Sequence, residues 1–364
     1  MKKRRAKLKK GVWLALLGLL ALSLLMWEMF GGGFFRENSY FTETARLDIA
    51  SGAYSFFAVD DGIFVLEDAG LISFFQEGRV EVFRRAHGIQ NATLFANGSF
   101  AAVLAQGGRA LDMHNTSGLV YAAVTDGAVL RFALGACGHA VAVIEAGSGH
   151  NVILIDPLGQ MSILAYFEGK SPTAVAVYDG WLAIAHADVS GAILNATVTI
   201  ISFDGTLQAV SLHNPYQIIG KLLFMDDNVL AVSNSRVFSI SRMSGNTLWE
   251  KELGNRLLSF SAHDDYFAML YGANLLNAEG YLLGMLHVYN SAGEQVFASE
   301  YALAERISLA YGQIVIQTAD QVFIYSVSTG ELMQELQMAG QLQFMSENRF
   351  AVSSRTSIGI FERR

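Results

Sequence analysis

Val198 to Val210 reads VTIISFDGTLQAV: an apolar run, an Asp-Gly turn, then a second run. Asp-Gly between short β-branched segments marks a tight antiparallel hairpin, because glycine accepts the positive φ that such turns require. The same unit recurs on both sides: LISFFQEGRVEVF (Leu71 to Phe83), MHNTSGLVYAAV (Met113 to Val124), NVILIDPLGQMSIL (Asn151 to Leu164), VFSISRMSGNTLWE (Val237 to Glu250), LHVYNSAGEQVF (Leu286 to Phe297) and VFIYSVSTGELMQEL (Val322 to Leu336). The turn glycines Gly78, Gly118, Gly159, Gly205, Gly245, Gly293 and Gly330 are spaced by about 42 residues, the period of a four-stranded propeller blade.

A second hairpin marker lies between the first ones, at Asp60-Asp61-Gly62, Asn97-Gly98, Cys137-Gly138, Asp179-Gly180, Asp226-Asp227-Asn228, Asp264-Asp265, Tyr311-Gly312 and Glu347-Asn348. With each blade lettered a to d from the inside out, these eight turns join a to b, and the seven glycine turns join c to d. A final c strand, Ser357 to Glu362, lacks a partner because the chain ends. Tyr40 to Ile49 (YFTETARLDI) alternates roughly and supplies it. The expected fold is therefore all-β: an eight-bladed β-propeller of four-stranded antiparallel blades, its last blade closed by an N-terminal strand. Seven blades remain open if the weak repeat around Arg109 to Val124 is misread.

The segments Val237 to Glu250 and Val322 to Leu336 resemble the quinoprotein-type, or PQQ-like, propeller repeat, whose consensus is a strand, an acidic or small turn with Thr-Gly, and a strand ending in Trp. The rhythm covers nearly the whole domain; the motif is sharp in one or two blades. The layout is also similar to bacterial membrane-anchored propeller proteins of unknown function. The resemblance invites quinone-dependent catalysis, but the tryptophan recurs only at Trp249, and adjacent cysteines under a cofactor are ruled out by the single Cys137. No cofactor is expected.

Ahead of the repeats, Gly11 to Phe30 is an apolar run long enough to cross a bilayer as one helix, with Glu28 near one end and Trp13 and Trp27 near the two ends. Residues 1–10 carry seven of the chain's 25 basic residues, so this tail should stay cytoplasmic and the propeller should lie outside, at the cell membrane. The expected organisation is a basic tail (1–10), a transmembrane signal-anchor (11–30), a linker (31–39) and the ectodomain (40–364). A cleaved signal peptide is the competing reading; its best site, Ala21-Leu22-Ser23, would cut the apolar run in half.

Beyond the tail, eighteen basic residues face thirty-three acidic ones, so nucleic acid and free anionic polymers are poor partners. The eight histidines show no metal spacing, and no GxSxG elbow, phosphate loop or calcium loop appears. His139 and His150 read as polar strand-end residues. Asp60, Asp61, Asp226, Asp227 and His263-Asp264-Asp265 form a candidate negative ring, although turn chemistry accounts for each of them.

By analogy with known propellers, the b–c and d–a connections share one face, and they hold the length variation: 188–196, 274–284, 87–91, 170–173 and 213–217. Candidate binding residues on this loop face are His87, Lys170, His213, Tyr216, Asn274, Asn277 and Glu279. The expected function is a non-catalytic binding, sensing or scaffolding module of the cell envelope with a protein or glycan partner. The alternative is an extracytoplasmic hydrolase or lyase acting on a wall polymer. A closing strand in the outer position places the anchor at the tight-turn face and turns the loop face away from the bilayer.

Overall fold

The structure is a computed structural model that describes residues 41–49, 54–188, 194–215, 217–253, 256–263, 265–276, 278, 280–337, 340–354 and 356–363, without the side chains of 207–215, 273–276 and 302. Among these residues no helix is long and apolar enough to cross a membrane; the expected span, Gly11 to Phe30, and the tail and linker lie outside the described residues.

Among the described residues thirty-two strands form eight four-stranded antiparallel sheets; seven are simple meanders, and the eighth joins three consecutive C-terminal strands to the first strand of the chain. Strand β1 (Phe41–Asp48) precedes blade 1, which is β2 (Tyr54–Val59), β3 (Gly62–Glu67), β4 (Leu71–Gln76) and β5 (Val80–Ala86). Blade 2 is β6 (Ala92–Asn97), β7 (Phe100–Ala105), β8 (Ala110–Asn115) and β9 (Gly118–Val124); blade 3 is β10 (Val129–Leu134), β11 (Ala140–Ala146), β12 (Gly149–Ile155) and β13 (Met161–Glu168). Blade 4 is β14 (Lys170–Tyr178), β15 (Trp181–Asp188), β16 (Asn195–Ser202) and β17 (Leu207–Pro215); blade 5 is β18 (Ile219–Met225), β19 (Asn228–Ser233), β20 (Arg236–Ser241) and β21 (Thr247–Glu252). Blade 6 is β22 (Leu257–His263), β23 (Tyr266–Leu276), β24 (Leu282–Asn290) and β25 (Gln295–Ala302); blade 7 is β26 (Arg306–Ala310), β27 (Gln313–Gln317), β28 (Gln321–Ser326) and β29 (Leu332–Gln337). Blade 8 is β30 (Leu342–Ser346), β31 (Arg349–Ser353) and β32 (Ser357–Arg363), completed by β1 on its outer edge. Eight blades, not seven, are present, and the weak second repeat is a full blade.

Closure is antiparallel, with Phe41 opposite Arg363 and Asp48 opposite Ser357. The chain thus enters the ring at the tight-turn face. Phe41 and Leu47 are buried, Phe41 lies 4.7 Å from the Phe350 ring, and the Gln334 amide bonds both the N–H (2.7 Å) and the carbonyl (3.1 Å) of Phe41.

Second strands are buried along nearly their whole length, as in β3, β7, β19 and β27, because a blade on each side covers both faces. This is why they read as continuous apolar runs rather than alternating ones. First strands neighbour one another around the ring, and their inner edges carry unpaired backbone groups. Side chains occupy several of these. Gln343 bonds Ala58 N–H and Phe56 carbonyl across the blade 8–1 junction, each at 2.9 Å; Asn97 donates to Leu134 carbonyl; Arg131 donates to Thr173 carbonyl; Lys221 donates to Phe260 carbonyl; and Ser259 and Ser261 accept from Ile307 and Leu309 N–H. Edge groups that would otherwise lack a partner thereby tie neighbouring blades together.

The turn glycines do more than permit a hairpin. At Gly159 and Gly293 φ is positive (86° and 79°), and an added Cβ would stand 2.9 Å from the rings of Tyr121 and Trp249 respectively. Each ring comes from the outer strand of the preceding blade, and Phe297 approaches Gly330 in the same way. Trp249 also donates Nε1–H to the Ser291 carbonyl at 3.0 Å and stacks on Phe267 at 5.1 Å. The position thus accepts Trp, Tyr or Phe, which explains why the tryptophan motif is sharp in only one blade. Trp249→Ala should cost about 3–5 kcal/mol in a urea titration, and Trp249→Phe should restore most of it. Equal midpoints for the alanine variant and the parent would show that the contact contributes little.

Candidate binding cleft on the loop face

The meander puts b–c and d–a connections on one face and the tight turns on the other, as expected. Only one of the predicted long loop-face connections is described as an irregular segment of that length. Between β5 and β6 run His87, Gly88, Ile89, Gln90 and Asn91. The His87 N–H donates to the Gly70 carbonyl at 3.1 Å, tying this connection to the b–c turn of its own blade. His87 Nδ1 accepts the Ile89 N–H at 3.1 Å, which assigns the ring proton of the neutral imidazole to Nε2. Ile89 packs into the core between blades 1 and 2. The connection is therefore held at its first residue and in its middle before any ligand arrives.

It borders a cleft of about 960 Å³ whose walls also include Tyr54, Ser55, Glu67, Asp68, Asn91 and Thr93. The Glu67 carboxylate is largely buried and receives Arg84 at 2.7 and 2.9 Å. Tyr54 donates to the carbonyls of Ser354 and Ser357 in blade 8. Burial raises the Asp112 carboxyl pKa, which the charges of His87 and Arg85 oppose; burial lowers the His87 pKa, against the pull of Asp112. His87 Nε2 is buried and has no partner. The cleft thus offers amides and hydroxyls on a preorganised frame, a set suited to hydrogen-bonded recognition of a polar ligand.

The other sequence candidates fall elsewhere. Lys170 opens β14, with one residue, Gly169, separating it from β13, so 170–173 is strand rather than loop. His213 lies within β17 and Asn274 within β23. The expected insertion at 274–284 is largely a hairpin extension in which Leu276 pairs with Leu282, because apolar residues on both sides let the backbone satisfy itself by pairing. At 188–196, Asp188 and Asn195 are already a strand pair, which narrows that insertion too. Tyr216, Asn277 and Glu279 lie outside the described residues.

On the tight-turn face, Asp60 accepts from Tyr311 at 3.0 Å and Asp227 pairs with Arg242, while Asp264 is outside the described residues. Among the described residues no three His, Cys, Asp or Glu side chains converge on a metal position.

The sequence marks His150 only as a polar strand-end residue and singles out neither His114 nor His186, yet all three are buried. His150 and His186, 36 residues apart in adjacent blades, share an Nε2–Nε2 hydrogen bond of 3.0 Å beside Phe167, and His150 also bonds the Lys170 backbone. His114 is fully buried against Phe83, with no partner at either nitrogen. Burial pushes the pKa of His186 down to about 3 and of His114 to about 4. Their only sequence signal was a polar residue in an apolar strand.

A family model described as "Family of unknown function (DUF5711)" matches residues 36–359. The chain belongs to DUF5711. No curated protein matches this DUF5711 chain in sequence. Among solved structures it is similar to BamB from Moraxella catarrhalis (13% identity, 89% of this chain and 100% of that one, TM-score 0.60). It is also similar to Saccharomyces cerevisiae Sqt1 (11%, 87% and 100%, 0.58) and to apo AztD from Citrobacter koseri (12%, 85% and 90%, 0.54). At such identities the likeness is one of fold, and it agrees with the propeller described above.

Proposed function

We propose that this DUF5711 chain is a membrane-anchored, extracytoplasmic propeller of PQQ-like repeat type that acts without catalysis, presenting its loop face to a protein or glycan partner of the cell envelope. The observation that carries the reading is the cleft between blades 1 and 2, with its braced His87–Asn91 connection. The apolar segment Gly11 to Phe30 and its basic flank support the anchor. The entry of β1 at the tight-turn face supports a loop face directed away from the bilayer.

A photo-crosslinking residue at Gln90, on the cleft, tests the partner in intact membranes. It should trap a discrete adduct that the same residue at Asp204, on the tight-turn face, does not. Identical adduct patterns from both positions, or none from Gln90, would remove the case for this surface. The native Cys137 tests the topology: it is exposed, and it is the chain's single cysteine. A membrane-impermeant maleimide should label it in intact cells. Labelling only after lysis would place the propeller inside. Gln90→Cys in a Cys137→Ser background should react faster than native Cys137, and the reverse order would invert the proposed orientation.

A further inference from the structure

The propeller is acidic, but its inner wall is not. The eight first strands contain four basic residues, Arg131, Lys170, Lys221 and Arg306, and no Asp or Glu. All four lie within the first three residues of their strands, at the loop-face end. Of the arginines elsewhere, six are ion-paired: Arg46 with Glu43, Arg79 and Arg349 with Glu362, Arg84 with Glu67, Arg236 with Glu250 and Glu252, and Arg242 with Asp227. None of the four inner-strand cations has a carboxylate partner among the described residues. The nearest acids in sequence are Asp126, Glu168 and Glu305, ahead of the inner strands, and Asp188, opposite Lys170 on β15. They remain at the rim or on the second strand.

Two of the four cations are placed alike. In β10 and β18 the register shifts just before the third residue, so Arg131 and Lys221 each follow a bulge residue and face a valine of the second strand. A bulge of this kind re-aims the side chain that follows it. Both then reach toward the next blade: Arg131 Nε donates to the Thr173 carbonyl at 2.9 Å, and Lys221 Nζ donates to the Phe260 carbonyl at 3.1 Å while lying over the Phe260 ring. In blade 4, between them, the bulge comes before Ala174, which carries no side chain beyond Cβ. Lys221 is reached by solvent yet surrounded by protein, and the loss of hydration lowers its ammonium pKa. Carbonyl oxygens leave such cations charged and uncompensated, which a bound anion would correct.

We propose that the loop-side half of the central channel binds a small polyvalent oxyanion, phosphate- or carboxylate-bearing, at the basic wall to which Arg131 and Lys221 belong. The acidic exterior disfavours a polyanion, whereas a small ligand in the channel meets the basic wall.

Isothermal titration of the full-length, detergent-solubilised chain with inorganic pyrophosphate and, separately, with citrate at low ionic strength tests this. Saturable binding of either probe is expected, and the stronger one identifies the chemistry. Lys221→Met and Arg131→Gln should each weaken it by about tenfold or more. Lys221→Arg should retain it, and Arg79→Gln, on the opposite face, should leave it unchanged. Acylation of the parent protein gives a readout that needs no variant: the bound probe should protect Lys221 and spare Lys251 on β21. The proposal fails if neither probe saturates, if the two charge-removing variants bind as the parent does, or if both lysines are protected equally.

Discussion

Removing β1 should unfold the ring or drive it to aggregate, whereas removing only residues 1–38 should leave it folded. Without β1, the edge of β32 loses a partner along Ser357 to Arg363, and Gln334 loses both of its backbone bonds. The cavity left by Phe41, which is 3% exposed and packed on Phe350, adds to the loss. Phe41→Ala alone should cost about 3–5 kcal/mol, against a total of roughly 5–15 kcal/mol for an ordinary domain. An unpaired β32 is also a template for a second chain, so the truncated form should elute as oligomers. Size-exclusion chromatography and thermal melts of the two truncations check this; matching melts would show that the strand is dispensable.

Acid should destabilise the propeller through its buried imidazoles. His114 and His186 have folded pKa values of about 4 and about 3, below the ordinary 6.5 of the unfolded chain. Between these limits the unfolded state binds more protons than the folded one, so stability rises with pH across that window and falls as the pH drops below about 6.5. At pH 5 each group should cost about 2 kcal/mol, together about 4 kcal/mol relative to pH 7.5. Urea midpoints at the two pH values measure the difference. His114→Leu should remove about half of it and should not weaken the protein at pH 7.5, because neither nitrogen of His114 has a partner to lose. A midpoint that does not move between pH 7.5 and 5 would mean that these rings are hydrated in solution.

Blade number and strand order were legible because they rest on local chemistry. A turn glycine such as Gly159 and an Asp-Gly pair such as Asp179-Gly180 declare a hairpin from neighbouring residues alone. The closing role of β1 followed from counting strands. The loop candidates fared differently. The repeat pattern puts Lys170 and Asn274 in longer loop-face connections, but strands β14 and β23, which pair with β15 and β24, extend through both positions.

Sequence by itself determined the all-β repeat, its closure and the charge contrast between tail and domain, since each is written in residue type and spacing. Tertiary structure alone decided which side chains meet. His87 on blade 1 feels the charge of Asp112 on blade 2, His150 bonds His186 across 36 residues, and Arg131 and Lys221 fall at matching positions only once the bulges are known. A strand reverses its facing with every residue, so one bulge or one residue of register moves a side chain from core to channel, and no local spacing records that shift.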